Sequence, residues 1–329
     1  MSVIKFLKAN CKNCYKCVRS CPVKSIKIKD YQAEIIEDAC IMCGTCLQVC
    51  PQNAKHIRDD IDIVKGFMKE GYTIVASLAP SFVTLSEKPG TIIAAIKSLG
   101  FDYVEETAVG ASAVSRKYNQ LMTIKPEANI ISSCCPTIVE LVQRHYPQAA
   151  DQLAAVVSPM IAHGRAIKKE KGQGVKVVFI GPCISKKWEA SDAQTKGVID
   201  AALTFEELMN WFEKANIQID DMEEASFDNK APGSSRFYPM PGGILRSMGV
   251  ENDMKNYYFV DGIEDCINAI DSIVKGEVSG TFIEMSGCKG GCLNGPAMPK
   301  IKGGSIGARM KLVKYADEKQ HENEMEAIK

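Results

Sequence analysis

The chain has 329 residues, 46% of them hydrophobic, enough for about two domains with a proper core. Forty basic residues balance forty acidic ones, so the bulk charge implies no polyanion partner. Fourteen cysteines exceed ordinary cytosolic usage, and their clustering at two- and three-residue gaps points to metal rather than to disulfides. The first twenty residues lack the apolar stretch of a signal peptide. The longest apolar runs, over 74–79 and 91–96, are too short to span a bilayer. The expectation is a soluble cytoplasmic protein with no membrane and no nucleic-acid partner.

Residues 1–58 contain an internal repeat. Cys11-x2-Cys14-x2-Cys17-x3-Cys21-Pro22 recurs as Cys40-x2-Cys43-x2-Cys46-x3-Cys50-Pro51. This is the bacterial two-cluster ferredoxin spacing, in which the fourth cysteine of each run serves the other cluster. It predicts an α+β ferredoxin-like domain over 1–58 with two 4Fe–4S clusters. Cys11, Cys14, Cys17 and Cys50 would hold one, and Cys40, Cys43, Cys46 and Cys21 the other. A zinc ribbon needs neither the x3-Cys-Pro ending nor the duplication.

Residues 59–70 read as a helical connector, with Ile61, Ile63, Val64 and Phe67 available for packing. Residues 72–80 read as a strand ending at proline, and 91–99 as a helix closed by Gly100. A weaker strand candidate covers 101–106 and a helix 110–122. Strands and helices alternate through Ile180, which predicts a larger α/β domain over 71–314 with a mainly parallel sheet. Residues 203–215 form a helical pattern with Phe205, Leu208, Met209 and Phe212 on one face, and 218–241 read as a loop. A strand at 257–260 precedes a helix at 262–274, where Cys266 falls among isoleucines as packing rather than as a ligand. Gly172-Gln173-Gly174 reads as a turn, and Gly242-Gly243 as either a turn or a close approach to a cofactor. Residues 315–329 read as a charged, solvated or frayed tail, and the four histidines are scattered.

Three stretches share one grammar, a β-rich run emptying into a cysteine beside Gly or Pro. They are Ser132-Ser133-Cys134-Cys135-Pro136, Pro182-Cys183-Ile184-Ser185-Lys186-Lys187-Trp188-Glu189, and Glu284-Met285-Ser286-Gly287-Cys288-Lys289-Gly290-Gly291-Cys292. Open α/β sheets hold ligands at such strand ends. Adjacent thiols diverge, so Cys134 and Cys135 give one ligand and one spare thiol. Choosing Cys135 with Cys183, Cys288 and Cys292 gives four thiolates, the number an iron–sulfur cubane needs.

In their order and content these stretches resemble the three active-site signatures of the FeFe hydrogenases, TSCCP, PCxxKxxE and ExxxCxxGC, with serine in place of the opening threonine. The resemblance covers roughly residues 70–300. It implies reversible conversion of dihydrogen to protons and electrons at a cubane joined to a diiron unit carrying CO, cyanide and azadithiolate ligands. It further implies maturation factors that deliver the diiron unit and a soluble redox partner such as a ferredoxin. By the same match, Cys292 bridges cubane and diiron unit, and Cys135, Cys183 and Cys288 complete the cubane. Lys186 would bind an iron cyanide and Cys134 carry protons. A surface lysine is the bland alternative for Lys186, since Lys187 stands beside it.

Several positions depart from the family. Beyond Cys134 the family's relay uses two glutamates and a serine, and here Tyr118, Leu121 and Ala154 fall at those places. Gly181 and Ser286 replace two methionines that flank the diiron unit, and Met160 replaces a glutamine. This pattern resembles the sensory, low-turnover branch of the family. Two other readings compete with a hydrogenase: a cytosolic iron–sulfur assembly factor, which keeps the cubane cysteines without the diiron unit, and an electron-transfer subunit.

Overall fold

The computed structural model describes residues 3–231, 233–253 and 255–327. The duplication in the first 58 residues is written into the backbone. A 3-10 turn precedes each cysteine run, at Lys8–Asn10 and Glu37–Ala39, and a short helix carries the third cysteine of each, at Lys16–Ser20 and Thr45–Gln48. Asn13, Tyr15 and Lys24 have positive φ, as do Met42, Gly44 and Asn53, at the offset that separates Cys11 from Cys40. Left-handed residues cost side-chain-bearing positions energy, so their recurrence in both runs marks a backbone path that local preference alone would not choose. Strand Ile4–Phe6 pairs antiparallel with Lys55–Ile57 and ties the ends of this unit together, while Ile26–Lys29 pairs with Gln32–Ile35.

The rest of the chain carries two parallel sheets. One runs in the order Tyr103–Glu106, Ile74–Leu78, Lys176–Gly181, Ala201–Thr204. Every residue of Ile74–Leu78 is buried, which explains a sequence with no polar alternation: helices cover both faces of a central parallel strand. Its register sets Leu78 against Glu106 on one side and Ile180 on the other. The second sheet runs Tyr257–Asp261, Phe282–Ser286, Ile130–Ile131, with Ile283 beside Ile131. Helices Pro136–His145 and Ile263–Val274 cover it with Ile138, Leu141, Ile270 and Ile273.

Helix starts follow their local chemistry. Pro89–Ser98 and Pro159–Lys171 open on proline, whose missing N–H costs nothing there. Phe205–Lys214 opens on a capping box between Thr204 and Glu207. Helix Ala108–Ile124 crosses Pro159–Lys171 so closely that a Cβ at Gly110 would lie 2.2 Å from the Pro159 carbonyl oxygen. Among the described residues, 218–241 contain two 3-10 turns and an isolated bridge from Asn229 to Glu105, and the segment is pinned. Buried Arg236 pairs with Glu106 at 2.8 and 3.0 Å. Cys266 is buried and its thiol faces the Val260 and Ser286 carbonyls. Helix Gly304–Ala327 buries Ala308, Leu312 and Ala316 in the main core, so packing continues past position 315, where the sequence suggests a tail. Residues 328 and 329 lie outside the described residues. Among the described residues no helix is long and apolar enough to cross a membrane.

The connector forms helix Ile61–Lys69, with Ile61 and Val64 buried. Its start is fixed by Lys187, which is fully buried. The Lys187 ammonium lies 3.0 Å from Asp60 Oδ2 and 2.8 Å from Glu207 Oε1, and it also donates to the Ala202 carbonyl. One cation thus ties the connector to two elements of the larger unit. Lys187→Met should cost about 3–5 kcal/mol, because buried Glu207 loses its counter-charge and Asp60 keeps only Arg58. Chemical denaturation measures this, and a loss under about 1 kcal/mol would mean that Asp60 and Glu207 relax into water.

Candidate active site at the strand ends

Parallel strands point their C-terminal ends the same way, and five of them here open onto one cavity of about 110 Å3. Leu78 leads to Ala79, Pro80 and Ser81, and Glu106 leads to Thr107. Gly181 leads to Pro182 and Cys183, Ile131 to Cys134 and Cys135, and Phe282–Ser286 to Gly291 and Cys292. Ser132 Oγ accepts from the Met285 amide at 3.0 Å and locks two of these ends together. Lys186, Met160 and Ser286 also line the cavity.

Cys288 and Gly181 stand elsewhere. Cys288 lines a neighbouring polar cleft together with Cys21 and Cys43. A Cβ at Gly181 would meet Phe179 Cζ at 2.6 Å, so Phe179, which lines the cavity itself, fills the room a side chain there would take. The Gly242-Gly243 pair is a turn: a Cβ at Gly243 would lie 1.9 Å from the Phe237 carbonyl oxygen. Both oxygens of buried Glu284 accept backbone N–H groups from this turn, from Gly242 and Ile244 at 2.9 Å and from Leu245 at 3.2 Å. Burial nevertheless outweighs those amides and pushes the Glu284 carboxyl up to about 8. The glutamate of the third signature therefore holds one wall of the cavity in place.

The thiols resist ionisation as a group. Burial, followed by the charges of Cys183 and Cys135, raises Cys292, and burial followed by Cys292 and Cys183 raises Cys288. Cys183 rises through burial and Cys135. Desolvated thiolates that repel one another need a cationic centre between them, which is the chemistry of a cluster donor set. Among the described residues no three His, Cys, Asp or Glu side chains close to the spacing of a single metal ion.

Two polar groups face the cavity, and the first lacks the partner its burial calls for. Ser81 Oγ is buried and has no hydrogen-bond partner. Lys186 donates to Glu189 Oε2 at 2.7 Å and to the Cys134 carbonyl at 3.2 Å. Burial opposes its charge, but Glu189 and the surrounding thiols raise its pKa. A cationic donor and an orphaned hydroxyl beside thiols fit a group with anionic or strongly accepting ends.

Cys134 is 3.1 Å from the Tyr118 hydroxyl, and burial pushes its thiol up to about 12 against the lowering by Tyr118 and Lys186. Tyr118 Oη accepts from the Ser133 amide at 3.0 Å, and Ser133 Oγ donates to the Val156 carbonyl at 2.5 Å. That line stops at a carbonyl. Leu121 and Ala154 sit with Tyr118 in an apolar cluster.

In the first unit, Cys21 and Cys50 each accept from the backbone amide four residues on, Ser25 at 3.2 Å and Ala54 at 3.4 Å. Cys46 is pushed up to about 12 by burial and then by Cys43, and Cys40 rises through burial, Cys43 and Cys21. Cys14 is exposed, whereas Cys43 is among the charges raising Cys288. A Cβ at Gly44 would meet Pro296 at 2.7 Å and Ile184 at 2.8 Å, so this unit packs against the residue following Cys183.

Comparison with known proteins places these features. The family model described as iron only hydrogenase large subunit, C-terminal domain, matches residues 72–296, and that of the 4Fe-4S dicluster domain matches residues 3–65. The chain belongs to the iron-only hydrogenase family. It is 25% identical over 262 residues to iron hydrogenase 1 of Clostridium pasteurianum, covering 64% of this chain and 46% of that protein. It is 22% identical to the NADP-reducing hydrogenase subunit HndD of Solidesulfovibrio fructosivorans, covering 89% and 63%. The chain thus spans less than two thirds of these relatives. The cytosolic Fe-S cluster assembly factor NAR1 of Encephalitozoon cuniculi is 22% identical, with 84% of each chain covered. A variant of the [FeFe]-hydrogenase HydA1 from Chlamydomonas reinhardtii superposes with a TM-score of 0.59 at 18% identity, covering 73% of this chain and 84% of that one. This likeness shows the shared fold.

Ser81, Thr107 and Phe179 line the cavity without belonging to any of the three signatures. The one signal for Ser81 was that Ala79-Pro80-Ser81 also ends a buried strand in proline, as the cysteine stretches do. Thr107 and Phe179 carry no motif.

Proposed function

We propose that the chain is an FeFe hydrogenase that reversibly converts dihydrogen to protons and electrons. The observation that carries this reading is the meeting of Cys135, Cys183 and Cys292 with Lys186 and the orphaned Ser81 hydroxyl in one cavity. Cys135, Cys183, Cys288 and Cys292 would hold a cubane, with Cys292 shared with a diiron unit bearing CO, cyanide and azadithiolate. When bound, that unit supplies the electron-rich iron on which dihydrogen splits. Lys186 and Ser81 would donate to its cyanide ends, and Met160, Phe179 and Ser286 would shape access to it. Cys134 would hold a proton next to the reacting centre.

Electrons would leave through the ferredoxin-like unit. Cys40, Cys43, Cys46 and Cys21 would hold the inner cluster, which the Cys43–Cys288 proximity supports. Cys11, Cys14, Cys17 and Cys50 would hold the outer one, where Cys14 is exposed. The neutral total hides a basic unit. Residues 1–58 carry ten Lys and Arg against four Asp and Glu, and Lys8, Lys12 and Lys16 flank Cys11 and Cys14 on the exposed side. The partner suited to that face is an acidic soluble carrier such as a ferredoxin, in the cytoplasm. Electron delivery by such a carrier should slow steeply between low and physiological salt, while delivery by a small neutral dye should not. Equal salt responses would remove the acidic partner.

The likeness to NAR1 supports a second reading, an iron–sulfur protein without the diiron unit. The Ser81 hydroxyl, which has no partner among the described residues, has no task in it. Protein made without maturation factors should carry about twelve irons, and maturation, with its dedicated factors, should add two and bring infrared bands of metal-bound CO and cyanide. Cys135→Ala and Cys183→Ala should prevent the addition. Twelve irons with no bands after maturation would favour the assembly-factor reading.

Tyr118, Leu121 and Ala154 give Cys134 no acid to pass its proton to, so turnover should be slow in both directions, as suits a sensor of dihydrogen. Every ~1.4 kcal/mol added to the barrier costs tenfold, so two poor proton steps cost roughly a hundredfold against a relative with an intact relay. Replacing Tyr118 and Leu121 with Glu and Ala154 with Ser should recover part of it. Turnover of the unaltered protein equal to that of fast relatives, measured with a non-limiting electron donor, would overturn the slow, sensory reading.

A further inference from the structure

The cavity has a second polar exit, on the side of the four-stranded sheet. Thr107 lines the cavity, and its Oγ1 is 2.8 Å from Ser77 Oγ. Ser77 Oγ is 2.8 Å from His163 Nδ1, and His163 Nε2 is 3.2 Å from Glu105 Oε2. Glu105 Oε1 pairs with Lys171 Nζ at 3.2 Å, with 19% of the lysine side chain exposed, and Asn229 Nδ2 also donates to Glu105 Oε2 at 3.2 Å. Ser77 and His163 are fully buried, and Thr107 and Glu105 nearly so.

Nothing about packing requires this row. An apolar core position filled by histidine must find partners for both ring nitrogens, and here each partner leads further in one direction. The charged groups of the network are Glu105 and, at the far end of the helix bearing His163, Lys171. The strand Ile74–Leu78 adds only the Ser77 hydroxyl. The helix Ala108–Ile124 and its cap add the Thr107 hydroxyl and the Gly110 backbone.

We propose that Thr107, Ser77, His163 and Glu105 form a proton line between the cavity and the surface at Lys171, replacing the route that ends at Tyr118 and Ser133. The proposal rests on the hydrogenase reading above. With the ring proton on Nε2, every donor in the row points outward. A proton taken up at Thr107 moves each proton one place along: Ser77 gives its own to Nδ1, and Nε2 gives its own to the Glu105 carboxylate. No electron moves along the row, and Glu105 releases the proton beside the Lys171 ammonium, whose charge opposes keeping it there. Burial raises the Glu105 carboxyl, but His163 and Lys171 together bring it below its usual range, which favours that release. The ring must then turn over to restore the starting tautomer. A buried ring turning over is slow, which agrees with low turnover. Thr107 meets the cavity directly, and the other three act through it.

A competing exit consists of hydroxyls alone. Tyr238 lines the cavity, and Ser115 Oγ is 2.8 Å from its hydroxyl and 2.7 Å from Ser247 Oγ. It contains no imidazole, whose two nitrogens can accept a proton on one side and release one on the other, so the row through His163 is the better carrier.

Two measurements test the proposal. In protein carrying its cubanes without the diiron unit, exchange of the His163 ring C2 hydrogen, followed by mass spectrometry from about pH 5 to 9, should trace a titration. Glu105→Gln should move its midpoint down, because the imidazolium loses its counter-charge. A flat profile would show a histidine locked in one state and overturn the relay. In matured protein, His163→Gln should lower turnover about a hundredfold and remove its dependence on pH near neutrality, with the CO and cyanide bands unchanged. Ser77→Ala breaks the row one step nearer the cavity and should do the same, which covers a His163 variant that fails to fold. Ser115→Ala should leave turnover as it was. Intact bands with unchanged turnover in both row variants would overturn the proposal, as would a loss in Ser115→Ala alone, which assigns the exit to Tyr238. Absent bands in the unaltered protein would count against the hydrogenase reading alone, and the exchange profile would still decide whether the row titrates.

Discussion

The larger unit is organised around one electrostatic difficulty: half-buried thiols from separate elements face one another at the strand ends. Burial and mutual repulsion raise Cys183, Cys288 and Cys292 together. Such a set is stable only as protonated thiols or around a cationic centre. Two parallel sheets solve the geometric half of the problem, since each delivers its strand ends to the same side. The loops after those ends can then vary in chemistry while the sheets hold them in register.

Adjacent lysines show how finely that register divides labour. Lys186 and Lys187 sit one residue apart on helix Ser185–Ser191, so their side chains leave the axis about 100° apart. Lys186 reaches the cavity, and Lys187 reaches Asp60 and Glu207 beneath the connector. One ammonium faces the cavity with a single carboxylate beside it, and the other is bound into the fold by two. Moving the helix start by one residue would exchange the two jobs and lose both.

This division also marks what the sequence can and cannot disclose. Cysteine spacing is a local property, so the duplicated run in residues 1–58 and the three later stretches were legible, as was the alternation that builds parallel sheets. Lys186 was legible only through its motif; nothing local separates it from Lys187. Ser81, Thr107 and Phe179 were not legible, because a hydroxyl or ring acquires meaning only when a distant strand brings it to the cavity. Gly181 was read as a position beside the diiron unit, yet its missing side chain makes room for Phe179. Bulk charge misled in a similar way: forty against forty is true of the chain and untrue of its first 58 residues. The helix past position 315 was hidden by its charged residues, since its buried face is mostly the small side chains of Ala308 and Ala316 with Leu312.

The placement of the polar rows bears on how such a site keeps its two currencies apart. Cys288 and Cys43 share the polar cleft on the side of the first unit, where electrons would enter or leave. Thr107, Ser77 and His163 lie on the side of the four-stranded sheet, on a helix cap, a strand and a covering helix, and apolar side chains such as Met160 and Phe179 stand with Thr107 around the cavity. Protons moving toward Glu105 would therefore travel away from the cluster cysteines. The charge of a departing proton would then leave the low-dielectric interior without passing a thiolate that would hold it. A row that ran from Cys134 past the other thiols would lack that advantage. The fully buried Tyr118, packed on Phe282, closes the direction behind Cys134 as effectively as any missing carboxylate.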